Sequence, residues 1–210
     1  MKIYIYTVPV DDGAAPNPYG DVCTLAICKP NLRKIAKVDD WIIGLNSECK
    51  LIYTMKITTV QTMKEYDSFT KENLKIKVPN KNSKNIQEQM GDSVYDFSNE
   101  NITLRPSVHS RCTKDMDLAG KNVLLSTNFY YFGNQVQKLP KEFDNIVNID
   151  IDFIELDENL KELFFNWLEN QNFQKNKIYS TPHVIGIISP SNRELKMSCC
   201  VRKKVEENYN

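Results

Sequence analysis

The sequence predicts an α+β fold: a mixed β-barrel or curved sheet with several short helices and a C-terminal amphipathic helix. Three stretches carry that prediction. Residues 2–8, "KIYIYTV", set Ile3, Ile5 and Thr7 against Tyr4, Tyr6 and Val8, the period of two that belongs to a strand. Residues 121–133, "KNVLLSTNFYYFG", carry the strongest strand signal of the second half. Residues 157–171, "DENLKELFFNWLENQ", place Leu160, Leu163, Phe164, Trp167 and Leu168 on one helical face.

The remaining elements follow in order. The first strand stops at Pro9, and "DDGAAPNPYGD" (11–21) is loop chemistry, long enough for a functional loop. "VCTLAICKP" (22–30) fits a strand or a short buried helix equally well, because periodicity does not separate the two. Pro30 then opens a short helix with Leu32, Ile35 and Ala36 at helical spacing. "DDWIIGL" and "KLIYTMKITTV" read as a hairpin joined by the polar "NSECK", and "TMKEYDSF" as a helical turn. Residues 71–90 are rich in Lys and Asn and poor in aliphatics, which predicts an exposed segment. Order resumes at "GDSVYDF" (91–97). Past the amphipathic helix come two short apolar runs, "HVIGIISPS" and "KMSCCV", and a charged tail.

Composition narrows the function classes. With 41% hydrophobic and 26% charged residues in 210, the chain has the make-up of an ordinary globular protein. The apolar run at the N-terminus is too short for a signal peptide and no stretch reaches the length of a membrane span, so a cytoplasmic protein without a membrane partner is expected. The six cysteines form no CxxC pair and the two histidines lie far from ligand-like spacing, which argues against zinc and reads the thiols as small buried hydrophobes. The net charge of zero argues against non-specific nucleic-acid binding. Its distribution is uneven: residues 142–170 hold nine acidic side chains against Lys161 alone, a balance of −8 that leaves +8 on the rest. That acidic element is either a solvated face or a contact surface for a protein partner.

No phosphate-loop, dinucleotide, nucleophile-elbow or zinc-protease signature is present, so chemistry must come from polar clusters. The first is the loop with Asp11, Asp12 and Asn17, where Pro16 and Pro18 fix the direction of the Asn17 amide for either recognition or a tight turn. The second is "RPSVHSR", in which His109 sits between Ser107 and Ser110 and is flanked by Arg105 and Arg111. It suits a phosphate contact, an acid or base near neutral pH, or a plain surface histidine. The third is "NFYYFG", where alternation sends Phe129 and Tyr131 one way and Tyr130 and Phe132 the other, as core or as a base-stacking platform. Gly133 then marks a positive φ or a close approach to the backbone. Lys29, Arg33 and Lys34 are candidate phosphate contacts.

Taken together, "DDGAAPNPYGDVCTLAICKPNLRKIAKVDDWIIGL", "LIYTMKITTV", "GDSVYDF", "SVHS" and "NFYYFG" resemble the nucleotide modification associated domain family of the second type, described as a DNA base hypermodification family of phage and bacterial genomes. The resemblance covers about residues 1–140, leaving 141–210 as an extension packed on the same domain. It places the family's polar positions at Asp12, Asn17, Cys23, Lys29, Arg33, Asp92, Tyr95, Ser107, His109, Tyr130, Tyr131 and Gly133. Two positions depart from the family pattern: Asp39-Asp40-Trp41 stands where a Gly-Asp-Trp turn is expected, and Ser93 where an asparagine is expected. The pair "VDDWIIGL" and "LIYTMKITTV" also looks like the paired strands of PUA and EVE barrels.

The resemblance implies a protein that binds or processes a modified nucleobase in DNA or a free nucleotide. Catalysis would fall to His109, Ser107 and Asp12. Asn17, Lys29, Arg33, Trp41, Asp92, Tyr95, Tyr130, Tyr131 and Gly133 would form the nucleotide site. Neither motifs nor resemblance implies a cofactor or a metal, and enzyme and reader stay open. A protein-interaction module using residues 142–170 and a PUA-like RNA-binding protein are the alternatives.

Overall fold

The computed structural model describes residues 1–109, 111–146 and 151–184. Strand β1 (Ile3–Thr7) leads through the loop into β2 (Cys23–Leu25), so the ambiguous stretch is a strand, and Pro30 opens α1 (Pro30–Ile35). The hairpin of β3 (Trp41–Leu45) and β4 (Leu51–Lys56) forms as expected. Beyond it, β5 (Thr59–Thr62) runs directly into α2 (Met63–Asn73). Short pieces follow: α3 (Ile86–Gln89), β6 (Tyr95–Asp96), β7 (Thr103–Leu104) and α4 (Lys114–Ala119). Then come β8 (Asn122–Ser126), β9 (Phe129–Tyr131), β10 (Ile154–Glu155), α5 (Glu158–Asn170) and β11 (Lys177–Ile178).

The described strands form an open six-stranded sheet in the order β10-β1-β3-β4-β9-β11, a three-stranded sheet β2-β8-β5 and a small β6-β7 pair. The α+β class therefore holds, but no closed barrel forms. The reason lies at two corners that sit side by side. The run 50–60 does not continue as one strand: at Ile57 and Thr58 the chain leaves the large sheet and enters the small one. Thr127 and Asn128 make the same passage between β8 and β9, and Thr127 N–H donates to Thr58 Oγ1 at 3.1 Å. The two sheets consequently face each other instead of closing into one.

Alternation in β1 decides where the cores lie. Ile3 and Ile5, with Trp41, Ile43, Tyr130 and Phe132, pack under α5 through Phe164 and Leu168. Tyr4 and Tyr6, with Ile42, Tyr53, Phe129 and Tyr131, pack against Cys23, Leu25, Leu32 and Leu124 of the small sheet and α1. Both faces of the central strands are thus covered, which explains why Trp41–Leu45 is apolar without alternation. Each large side chain so buried contributes about 1.5–3 kcal/mol.

Several expectations need correction. "TMKEYDSF" is the start of an 11-residue helix, set by a capping box in which Thr62 N–H donates to Glu65 Oε2 at 2.7 Å and Glu65 N–H to Thr62 Oγ1 at 3.2 Å. In α1, Ile35 is exposed and Arg33 is fully buried in its stead. Residues 71–90 are not uniformly exposed, because Lys77 has no accessible surface at all. Cys23, Cys28 and Cys49 are buried as expected, whereas Cys112 is exposed on the turn before α4. Cys199, Cys200 and the runs from residue 185 onward lie outside the described residues, as do Ser110 and Asp150. Among the described residues no helix is long and apolar enough to cross a membrane.

Candidate functional site

A cavity of about 270 Å³ opens between the loop after β1 and the segment after β11, lined by Asp12, Tyr19, Ile86, Gln87, Ile178 and residues 180–182 and 184. Two glycines let these walls meet. Gly133 has φ +56, and a Cβ there would lie 2.1 Å from the Thr181 carbonyl oxygen, while Asn134 N–H donates to that same oxygen at 2.9 Å. Gly13, at φ +82, lies where a Cβ would meet Pro182 and the Tyr19 hydroxyl. The glycine that ends "NFYYFG" thus docks the far wall of the cavity.

The carboxylates of this loop are perturbed. Asp12 is half-buried, with Ala14 N–H donating to its Oδ1 at 2.9 Å. Burial pushes its carboxyl up, and the neighbouring charge of His109 pulls it partly back. Asp11 lies deeper, 2% exposed, and accepts a 2.6 Å bond from the Tyr131 hydroxyl. Burial raises it to about 6, although the Tyr131 bond works in the opposite direction. Burial and the two carboxylates together push the Tyr19 phenol up to about 12, so it stands in the cavity as a neutral donor.

Behind the loop sits a closed polar network. The Lys77 ammonium donates to the Asn17 carbonyl (2.8 Å), Asn17 Oδ1 (2.7 Å), the Val22 carbonyl (2.7 Å) and Thr24 Oγ1 (3.0 Å). Thr24 Oγ1 donates to Asp92 Oδ2 at 2.5 Å, Tyr66 donates to Asp92 Oδ1 at 2.6 Å, and the Asn17 amide donates to the Met90 carbonyl at 2.9 Å. Asn17 and Asp92 are therefore fixed to partners inside the protein. Burial lowers Lys77 to about 8, with Asp92 opposing that fall.

A second network surrounds Asp117, which is fully buried. His109 Nδ1 lies 2.9 Å from Asp117 Oδ2 and 3.0 Å from Thr113 Oγ1, and its Nε2 faces Cys28 Sγ at 3.6 Å. Tyr95 donates to Asp117 Oδ2 at 2.8 Å, and Cys28 N–H to Asp117 Oδ1 at 2.8 Å. Arg33 binds the carbonyls of Cys28 (2.7 Å), Asn122 (2.7 Å) and Asp117 (2.5 Å). Burial pushes the Asp117 carboxyl up, but the bond and charge of His109 outweigh it and leave the group below the ordinary range. These bonds place a proton on Nδ1 of His109 and leave Nε2 facing the sulfur, the position from which it can take up and return a proton. His109 is thus no surface histidine. Two residues before it, Ser107 is buried and its Oγ has no hydrogen-bond partner.

The predicted residues therefore divide. Asp12 lines the cavity; His109, Arg33 and Tyr95 meet around Asp117; Asn17 and Asp92 belong to the Lys77 network. Tyr130 and Phe132 face the main core, where Phe173 and Tyr179 cover them, with Phe132 and Tyr179 stacked at 5.1 Å and 25°. Trp41 lies edge-on to Phe164 and Phe165 of α5. The aromatic faces expected to stack a base are thus occupied by the protein's own rings. Lys29 donates to the Asp152 carbonyl at 2.9 Å and lies over the Tyr6 ring at 4.8 Å. In the acidic element, Asp152 is held by Lys29 and Asn31 and Glu155 by Lys2, while Asp157, Glu158, Glu162 and Glu169 are exposed. Sequence reasoning missed Lys77, Asp117, Tyr19 and Cys28.

Fold and site define an α+β protein whose apolar cavity, with one perturbed carboxylate, lies beside a buried imidazole–carboxylate pair. The family model of nucleotide modification associated domain 2 matches residues 1–187, and the chain belongs to that family. Neither a curated protein nor a solved structure matched it.

Proposed function

We propose that the protein binds a nucleobase, in DNA or as a free nucleotide, in the cavity beside Asp12 and Tyr19, and acts on or recognises a modified form of it inside the cell. The observation that carries this reading is the cavity's chemistry: apolar walls, one carboxylate and one neutral phenol, in a chain of a nucleotide-modification family. Apolar walls suit the faces of a flat heterocycle, and a carboxylate and a phenol suit its donor edge. Asp11 and Asp12 disfavour a phosphate at the same point, so the sugar–phosphate lies outside.

Within this reading His109 moves a proton. The unpaired Ser107 hydroxyl, which costs about 1–3 kcal/mol while it is buried without a partner, is offered to the ligand. Tyr131 and Gly133 act from behind, through Asp11 and through the docked segment 180–184. The likeness to PUA and EVE folds belongs to the same proposal and rests on the β3–β4 pair in its curved-sheet form.

A thermal-shift screen against free nucleotides and short DNA oligonucleotides with ordinary and modified bases tests it. A ligand at 100 times its dissociation constant adds about 2.7 kcal/mol of stability. One base class should stabilise the wild type and lose that effect in Asp12→Asn. If no base shifts the protein, or Asp12→Asn responds as the wild type does, the reading fails.

A further inference from the structure

Three side chains from separate parts of the chain meet: Cys28 between β2 and α1, His109 on the loop after β7, whose charge reaches Asp12, and Asp117 on α4. We propose that Cys28 is a catalytic nucleophile, with His109 as its general base and acid and Asp117 as the residue that positions His109, and that the site cleaves or transfers an uncharged acyl group held as an ester or amide. The proposal does not depend on what occupies the cavity.

The geometry has the required order: sulfur to Nε2 at 3.6 Å, then Nδ1 to carboxylate at 2.9 Å. The backbone supports the same assignment. Cys28 has φ 59 and Lys29 has φ 42, two left-handed residues in succession that cost about 1–3 kcal/mol each and persist only where the surroundings enforce them. Here the enforcement is visible: Asp117 Oδ1 holds the Cys28 N–H, and Arg33 Nε holds its carbonyl. The carboxylate that orients the imidazole therefore also sets the backbone that aims the sulfur.

Cys23 supplies the contrast. It is equally buried, lies in a regular strand, and burial pushes its thiol up to about 12. The imidazole at its sulfur is what sets Cys28 apart, because buried Cys49, in the turn between β3 and β4, is left-handed too at φ 56.

In the reaction the Cys28 proton passes to His109 Nε2 as a sulfur lone pair bonds to the carbonyl carbon. The adduct collapses by breaking the bond to the amine or alkoxide, which takes the proton back from Nε2. Water then attacks the thioester and gives its proton to Nε2; the S–C bond breaks, and the proton returns to sulfur. A base that also returns its proton suits a leaving group that must be protonated, which is why an ester or amide is the substrate class. Besides Asp117, the groups facing the pair are Thr113, Tyr95 through its bond to Asp117 Oδ2, Arg33 through the Asp117 carbonyl, and the Asp12 carboxylate. The Asp12 carboxylate among them disfavours an anionic acyl group.

The experiment is alkylation of the folded full-length protein by iodoacetamide across pH, with labelled cysteines located by peptide mass spectrometry and exposed Cys112 as the internal reference. Cys28 should react with a rate that stays high below pH 7, where an ordinary thiol is mostly protonated and slows by about tenfold per pH unit. His109→Ala should slow Cys28 at pH 7 by roughly 10²-fold or more and leave Cys112 unchanged. 4-Nitrophenyl acetate should leave one acetyl group on Cys28 in the wild type and none in Cys28→Ala. A Cys28 that does not react in the folded protein, or that follows the ordinary thiol profile, overturns the proposal; this readout needs only the wild type and stands even if His109→Ala fails to fold. Nucleotides that stabilise a protein whose Cys28 stays inert would keep the binding proposal and remove this one.

Discussion

The Lys77 and Asp117 networks are equally buried and end differently. Around Lys77 the ammonium meets four oxygen acceptors, Thr24 and Tyr66 donate to Asp92, and every bond serves to pin the loop 11–24 onto the body. Around Asp117 the carboxylate and Arg33 are satisfied in the same way, but their bonds leave a thiol and an imidazole facing each other. Burial of charge is common to both. What separates structure from chemistry is whether the network closes on itself or aims a pair of reactive atoms.

Breaking the closed network should have the largest effect. Lys77→Met leaves four acceptors and the Asp92 carboxylate buried without their cation, a loss of about 3–5 kcal/mol that urea denaturation would register. A loss under 1 kcal/mol would mean that the loop holds without it.

The Tyr131–Asp11 pair is intermediate, a buried carboxylate with fewer partners. Tyr131→Phe should cost about 1.5–3 kcal/mol at pH 7, where Asp11 is ionised and the phenol donates to a charge. The pH dependence has a definite sign. Because the folded carboxyl titrates at about 6, above the ordinary 3.8, the folded state binds the extra proton, and Asp11 makes the wild type less stable as pH rises from about 4 to 6. The whole penalty approaches 3 kcal/mol above pH 6. In Tyr131→Phe the carboxyl loses a bond that lowers it, so the fall should steepen and extend above pH 6; thermal melts from pH 4 to 8 would show it.

The smallest effect on stability sharpens the picture of the cavity. Gly133→Ala must adopt a left-handed backbone and displace the Thr181 carbonyl, for about 1–3 kcal/mol. Its more telling readout is limited proteolysis of the segment 177–184, which should be cut faster in the variant while the β3–β4 hairpin stays protected.

Local pattern made much of the fold legible. The alternation in β1 foretold a strand, though not that both its faces are buried, the helical spacing of Leu160, Phe164 and Leu168 foretold α5, and Pro30 marked the start of α1. The polar interior was less legible because it is assembled from distant residues. Lys77 lies in a stretch that composition reads as solvated, and only the four oxygens brought by Asn17, Val22 and Thr24 make it internal. Cys28, His109 and Asp117 are separated by 81 and 8 positions, a spacing without local signature. The "CKP" turn, a cysteine two residues before the start of a helix, was the available signal. In "NFYYFG" the alternation was readable, but the rings that cover Tyr130 and Phe132 arrive from residues 173 and 179.

That last arrangement bears on synthesis. The cavity is walled by residue 12 on one side and by residues 178–184 on the other, and the flank of β1 is closed by β10 through the register Tyr4↔Glu155. During translation the first strand must wait for some 150 further residues, roughly 8–30 s at 5–20 residues per second, before its edge is paired. The far wall of the cavity comes later still. A ribosome that stalls or a protease that cuts before residue 178 therefore yields a chain with part of its core but without the far wall of the cavity.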